Sequence, residues 1–221
     1  VSIGRLEQIR DVSGTVSRET LNKLELFEAE FRRWSTRINL AAPSTLESLW
    51  ERHILDSAQL AALKPQALRW LDLGSGGGFP GAVMAILLAE RDCAIIDLVE
   101  SNNKKAAFLR TILGSLNAPA TVHICRIEDA TGRMDTPEIV TARALAPLSR
   151  LLELAAPWLE AGAVGLFHKG RDYAAEIAES RDAWRFDLVE HRSKIDPASR
   201  VLEISGLARR QAEANANESA R

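Results

Sequence analysis

Apolar positions in the first part of the chain recur at steps of three and four. Leu21, Leu24, Phe27, Phe31, Trp34 and Ile38 make one stripe, which predicts an amphipathic helix capped by Ser17. A second helix is expected to open at Ser44-Thr45-Leu46-Glu47, a capping-box pattern with Ser44 at the N-cap and Glu47 three residues on. Its apolar face is Leu46, Leu49, Trp50, Ile54 and Leu60. From about residue 68 the period changes. Short apolar runs predict strands at 69–73, 94–99, 120–125, 138–142, 163–168, 184–190 and 200–205, with helices at 79–90, 102–116, 147–158 and 171–180. Such alternation argues for an α/β fold, a mainly parallel sheet with helices on both faces. Only residues 194–199 separate the last two strands, so they form a hairpin and force one antiparallel strand. The expected organisation is a helical extension over 1–66 packed on a sheet domain over 67–207, then a polar, frayed tail over 208–221.

The densest signal is the junction of the first strand with its helix. Trp70-Leu71-Asp72-Leu73 runs into Gly74-Ser75-Gly76-Gly77-Gly78-Phe79-Pro80-Gly81. Strand, glycine-rich turn and helix in that order bring bare backbone against a small ligand at the mouth of a parallel sheet. Side chains at Gly74, Gly76 or Gly78 would block that approach, and the turn calls for positive φ. The next buried run, residues 94–99, ends in Glu100, about 20 residues past the loop, where an acid reaches a ribose hydroxyl pair. No Gly-Lys-Ser/Thr closes the loop, which excludes a P-loop. A dinucleotide dehydrogenase would carry its third glycine one position later, where this chain has Phe79.

Composition adds mainly exclusions. The formal net charge is −2, so nucleic-acid binding would need a local basic patch rather than a global field. Cys93 and Cys125 are far apart and flank predicted strands, which reads as two buried thiols. His53, His123, His168 and His191 show no metal-ligand spacing, so no metal is expected. There is no signal peptide and no 18-residue apolar stretch, so a cytoplasmic protein without membrane association is expected.

A seven-strand sheet ending in a hairpin, with this glycine loop and an acid after strand two, resembles the class I S-adenosylmethionine-dependent methyltransferases, a Rossmann-like fold. The match extends further. Residues 74–81, Glu100-Ser101-Asn102-Asn103-Lys104-Lys105 with Phe108-Leu109-Arg110, Cys125-Arg126-Ile127-Glu128-Asp129, Ala142-Arg143-Ala144-Leu145-Ala146-Pro147-Leu148 and Lys169-Gly170 are similar to the small-subunit ribosomal RNA guanine-N7 methyltransferase family, also called glucose-inhibited division protein B. Ile38-Asn39-Leu40 and Arg52-His53-Ile54-Leu55-Asp56-Ser57 resemble its N-terminal signature. The resemblance implies S-adenosylmethionine as cofactor, 16S ribosomal RNA or a small-subunit assembly intermediate as partner, and a monomer. It places Gly74, Phe79, Ile127, Glu128 and Arg143 at the cofactor, beside Gly76, Gly78, Glu100 and Ser101. Many members carry Asp where this chain has Glu100; Glu still accepts both ribose hydroxyls.

The chain also lacks what other acceptors need. Methylating an exocyclic amine calls for an Asn/Asp-Pro-Pro-aromatic turn after strand four, where this chain has Thr141-Ala142-Arg143-Ala144. Methylating a pyrimidine C5 needs a cysteine nucleophile, and Cys125 is expected to end strand three with no activating base nearby. Guanine N7 needs neither device: its lone pair is free and no proton leaves. Arg143 is expected to position the base through O6 or a phosphate rather than act as acid or base. Arg52, His53, Lys104, Lys105, Arg126 and Lys169 are the candidate RNA contacts. Other readings stay open for several of them: a solvated helix face for Lys104, Lys105 and Arg110, an ion pair of Arg126 with Glu128 or Asp129, and a packed or capping role for His53. The alternative to an rRNA substrate is a small-molecule acceptor on the same fold, for which an apolar lid would be the mark.

Overall fold

Seven strands form one sheet in the computed structural model, which describes residues 2–210. They are β1 (Arg69–Leu73), β2 (Ile95–Val99), β3 (Ala120–His123), β4 (Ile139–Arg143), β5 (Val164–Lys169), β6 (Trp184–Arg192) and β7 (Arg200–Arg209). Across the sheet the order is β3-β2-β1-β4-β5-β7-β6, and only β7 runs antiparallel to its neighbours. The chain moves outward from β1 to β3 and then returns to lay β4 on the other side of β1. That reversal opens a crevice at the carboxyl ends of the strands, where open α/β sheets bind ligands.

Helices α1 (Ser2–Ser13), α2 (Arg18–Ser35), α3 (Pro43–Leu46) and α4 (Asp56–Leu63) precede the sheet, with a π-helical turn at Trp50–Leu55. Within the sheet region lie α5 (Gly81–Leu87), α6 (Asn103–Ser115), α7 (Leu148–Leu159) and α8 (Tyr173–Ala183). Side chains alternate across the strands. Trp70, Ile96, Leu98 and Leu166 enter one core with the four N-terminal helices, α5 and α6. Leu71, Leu73, Val140, Ala142 and Phe167 enter the other with α7 and α8. On the first face Phe27 and Phe31 of α2 meet Phe79 and Phe108, with ring centroids 5.1–6.2 Å apart. This aromatic cluster carries α2 onto the glycine loop.

Several expectations change. The α2 stripe and the Ser17 cap hold, with the Thr20 amide donating to Ser17 Oγ at 3.0 Å. The Ser44 capping box does not form: Pro43 takes the first helical position after Ala42, and the helix ends at Leu46. The rest of that apolar run continues as the π-turn and α4 rather than one helix. Helix α1, which buries Ile9 and Val12, went unpredicted because its pattern is only weakly amphipathic. β3 stops at His123, opposite Val99, where β2 ends and no ladder partner remains. β7 continues to Arg209 opposite Trp184, so residues 208 and 209, expected in a frayed tail, are strand; residues 211–221 of that expected tail lie outside the described residues. Cys93 is exposed at φ 62 in the connection before β2, not buried; Cys125 is half-buried, and both are free thiols. Trp50, Trp70, Trp158 and Trp184 are core residues, and Trp34 is half-buried against the core that holds Trp50 and Trp70. Among the described residues no helix is long and apolar enough to cross a membrane.

Candidate active site

Two clefts lie side by side at the carboxyl ends of the strands. The first, of about 540 Å³, sits over β1 and β2 beneath residues 74–79. Its floor is main chain. The Gly76 amide donates to Glu100 Oε2 at 2.7 Å, while Oε1 of the same carboxylate accepts from the Asn102 amide at 2.6 Å. Asn102 in turn caps α6, accepting from the Lys104 and Lys105 amides. Glu100 is thereby buried at the end of β2 with its carboxylate fixed against the loop.

The three expected loop glycines differ in what they do. Gly74 (φ +65) and Gly76 (φ +55) line the cleft. A Cβ on Gly74 would fall 2.6 Å from Leu145 Cδ1, whereas one on Gly76 would meet only the Gly74 carbonyl at 3.7 Å. Gly78 (φ +98) corrects the expectation. It is buried away from the cleft, and a Cβ there would strike Ala82 at 2.7 Å and Leu109 at 3.0 Å. Its missing side chain serves helix packing, not ligand approach. Below the loop, Asp72 is fully buried, accepting from Thr141 Oγ1 at 2.7 Å and the Gly81 amide at 3.2 Å. Burial pushes its carboxyl up to about 6, against those hydrogen bonds, with the Glu100 charge adding to the rise.

The second cleft, of about 690 Å³, lies at the ends of β4 and β5. Residues 143–145 line both clefts and form the wall between them. Arg143 is gripped by the π-turn: Nη1 donates to His53 Nδ1 at 2.9 Å, Nη2 to the Arg52 carbonyl at 2.7 Å, and Nε lies 3.4 Å from Asp56 Oδ2. A π-turn closes its hydrogen bonds over one residue more than an α-helix and often marks a working site; here it turns a carbonyl and an imidazole towards one guanidinium, and Asp56, the first residue of α4, adds a carboxylate. Asp56 Oδ1 also accepts from Gln59 and Ser193, and His168 Nε2 donates to the Asp56 carbonyl at 2.9 Å. His53 stacks on Phe79 at 4.8 Å. Burial, then the charges of Arg143 and Arg52, lowers its pKa to about 4, with Asp56 opposing. Its ring is therefore neutral, with Nδ1 as acceptor. Neither His53 Nε2 nor His168 Nδ1 has a partner among the described residues.

Of the expected cofactor residues, Gly74, Gly76, Phe79, Glu100, Ser101, Ile127, Glu128 and Arg143 line the first cleft, and Gly78 does not. Of the expected RNA contacts, His53, Lys105 and Arg126 line the same cleft, Arg52 and Lys169 line the second, and exposed Lys104 lines neither. Arg126 makes no ion pair with Glu128; Glu128 pairs instead with Arg150 at 2.9 Å. Arg110 is exposed on α6, with its Nη2 donating to the Val122 carbonyl. Lys169 is buried with Nζ against the Ala146 carbonyl and Glu176. Sequence reasoning missed Leu145, Asp56, His168 and Glu176. What makes them part of the site is a partner on another element: Gly74 for Leu145, Arg143 for Asp56, the Asp56 carbonyl for His168, and Lys169 with the Leu148 amide for Glu176.

The model of the family described as "rRNA small subunit methyltransferase G" matches residues 20–199. The chain belongs to this family. Curated relatives named "Ribosomal RNA small subunit methyltransferase G" include one from Chelativorans sp. (strain BNC1), 62% identical over 93% of this chain and 98% of that protein. Another, from Brucella canis, is 59% identical over 93% of this chain and 97% of its own. Solved structures agree on the fold. An SAM-dependent O-methyltransferase from Thermotoga maritima superposes with a TM-score of 0.56 at 13% identity, covering 84% of this chain and 73% of that one. The cofactor-bound protein Rv0187 from MTB gives 0.56 at 14% identity, covering 88% and 92%. The family is one of S-adenosylmethionine-dependent rRNA methyltransferases, and its sheet is the seven-stranded, mostly parallel one described above.

Proposed function

We propose that this chain transfers a methyl group from S-adenosylmethionine to N7 of a guanine in 16S ribosomal RNA. One observation carries the reading beyond family membership. A cleft floored by bare main chain and closed by a buried carboxylate shares a single wall, residues 143–145, with a second cleft able to take a base.

The first cleft suits the donor. Gly74 and Gly76 leave room against the backbone, Glu100 presents a fixed carboxylate for a ribose diol, and Ser101, Ile127, Glu128 and Phe79 complete the walls. S-adenosylmethionine supplies, when bound, a methyl group activated by a sulfonium charge. The residues present have only to hold guanine N7 in line with it and keep water out. Such positioning is worth about 7–11 kcal/mol of barrier. Arg143 orients the guanine through O6 or its phosphate. His53 acts through Arg143 rather than on a proton: its Nδ1 is already an acceptor for the guanidinium. The carboxylates of the second cleft are engaged too, Asp56 with Gln59 and Ser193, Glu176 with Lys169 and Leu148. A reaction that releases no proton fits a site whose titratable groups are occupied. Arg52, Lys104, Lys105 and Arg126 supply the cationic rim for the RNA backbone.

The test is methyl transfer from labelled S-adenosylmethionine to a 16S rRNA transcript, followed by nucleoside analysis. Label should appear in 7-methylguanosine, and a transcript made with 7-deazaguanine should not be labelled. Label in another nucleoside, or in the deaza transcript, would overturn the N7 assignment.

A further inference from the structure

The wall between the clefts is an unusual piece of chain. Ala144 holds φ 51, in the left-handed region, without being glycine. Leu145, next along, rests on Gly74 and reaches both clefts. A turn of this kind keeps its shape only if its surroundings fix it. At one end the π-turn grips Arg143, as described. At the other end stands a pair for which the reaction has so far supplied no use.

Lys169 ends β5 and is only 8% exposed. A buried ammonium is costly unless paired and hydrogen-bonded, and here it is both. Nζ donates to the Ala146 carbonyl at 2.7 Å and to Glu176 Oε2 at 2.5 Å. The same Glu176 oxygen accepts from the Leu148 amide, the first of α7, at 2.6 Å. One ion pair, brought from β5 and α8, thus pins the turn at its carbonyl 146 and its amide 148.

We infer that Lys169 and Glu176 are positioning residues for methyl transfer: their ion pair fixes the turn carrying Ala144 and Leu145, and so sets the separation of donor and acceptor across the shared wall. The inference rests on the two-cleft reading of the function and deepens it. It also removes Lys169 from the RNA-contacting rim, because its ammonium already has two protein partners. Neither residue touches the reacting atoms; both act through main chain that does border the clefts.

The test compares Lys169→Met, Glu176→Gln and the double variant with the unaltered chain, measuring single-turnover transfer to 16S rRNA, S-adenosylhomocysteine affinity by calorimetry, RNA affinity against salt, and melting temperature. Lys169→Met should slow transfer about 10- to 100-fold, the scale of a misplacement near 1 Å. Affinities for S-adenosylhomocysteine and RNA should stay within about twofold, since the Lys169 ammonium, although at the edge of the second cleft, is taken up by the Ala146 carbonyl and Glu176. Glu176→Gln keeps an acceptor for the Leu148 amide but loses the charge pair, and should slow transfer less. It also carries the test if Lys169→Met fails to fold. The double variant should be no slower than Lys169→Met alone, because the pair acts as a unit. Weakened RNA binding, with the salt slope reduced by about one, would make Lys169 a phosphate ligand and overturn the inference. A lower melting temperature with unchanged transfer per folded molecule would overturn it too, leaving a purely structural pair. If the unaltered chain transfers no methyl to rRNA, the function fails first; if it does and the variants match it, only this inference fails.

Discussion

The two clefts are neighbours built in opposite ways. The first is organised around main chain, Gly74 to Gly77 after β1 and the Glu100 carboxylate at the end of β2, with side chains such as Phe79, Ile127 and Leu145 completing its walls. The second joins the turn after β4 to side chains from the π-turn, α4, β4, β5, α8 and the loop between β6 and β7. A main-chain site tolerates little variation in residue type, because any added atom enters the ligand's space. A side-chain site depends on pairings such as Arg143 with His53, or Lys169 with Glu176, that form only after the sheet has assembled. The difference suits the two ligands: a fixed donor of one chemistry, and an acceptor that must be aligned afresh in each RNA.

Filling the first cleft should have the largest effect. Gly76→Val should raise the Kd for S-adenosylhomocysteine by about 10²-fold or more, roughly 3 kcal/mol, while the chain still folds. Gly78→Val, only two residues on, should instead lower the melting temperature, by overpacking of about 1–3 kcal/mol against Ala82 and Leu109. Calorimetry and thermal scans on both variants would separate ligand-facing from core-facing glycines; equal effects would erase the distinction. On the other side of the wall, Arg143→Lys keeps the charge but loses the fork. Transfer should fall about tenfold to a hundredfold with S-adenosylhomocysteine affinity unchanged. A loss of cofactor affinity instead would make Arg143 a cofactor ligand rather than the group that orients the base.

A smaller effect concerns the rim. Replacing Lys104, Lys105 and Arg126 by Gln should lower the salt slope of RNA binding by about one for each phosphate that is no longer neutralised. An unchanged slope would return these side chains to solvent.

The smallest effect is in the pH dependence of stability. His53 titrates at about 4 in the folded chain against an ordinary 6.5, so the folded state binds this proton less tightly than the unfolded one. The stability contributed by the neutral ring is present above about 6.5 and is lost as pH falls towards 4. His168, lowered by burial, adds to that loss. Asp72 opposes it, because a carboxyl raised from 3.8 to about 6 favours the folded state as pH falls through that window. His53→Asn should therefore flatten the fall in melting temperature between pH 6.5 and 4. An unaltered slope would contradict a buried neutral imidazole.

The legibility of the sequence follows the same division. The strand–glycine–helix junction and Glu100 were readable because each signal is local: an apolar run, a turn that needs positive φ, an acid at a strand end. The hairpin was readable from the brevity of residues 194–199. Gly78 was misread because a glycine needed for helix packing looks the same in sequence as one needed for a ligand. The Ser44 cap failed because Pro43, with its fixed φ, takes the first helical position and moves the cap two residues earlier, to Ala42. The roles of Asp56, His168 and Glu176 were not legible, since what makes them matter is a partner on another element.

The proposed methyl transfer to guanine N7 would leave 7-methylguanosine in 16S rRNA. Nucleosides of 16S rRNA fragments should be measured by mass spectrometry in cells with the gene, without it, and with the Arg143→Lys variant. 7-Methylguanosine should disappear from one fragment when the gene is removed, return with the unaltered chain, and return only in part with the variant. Full 7-methylguanosine in every fragment after removal of the gene would contradict the proposed activity.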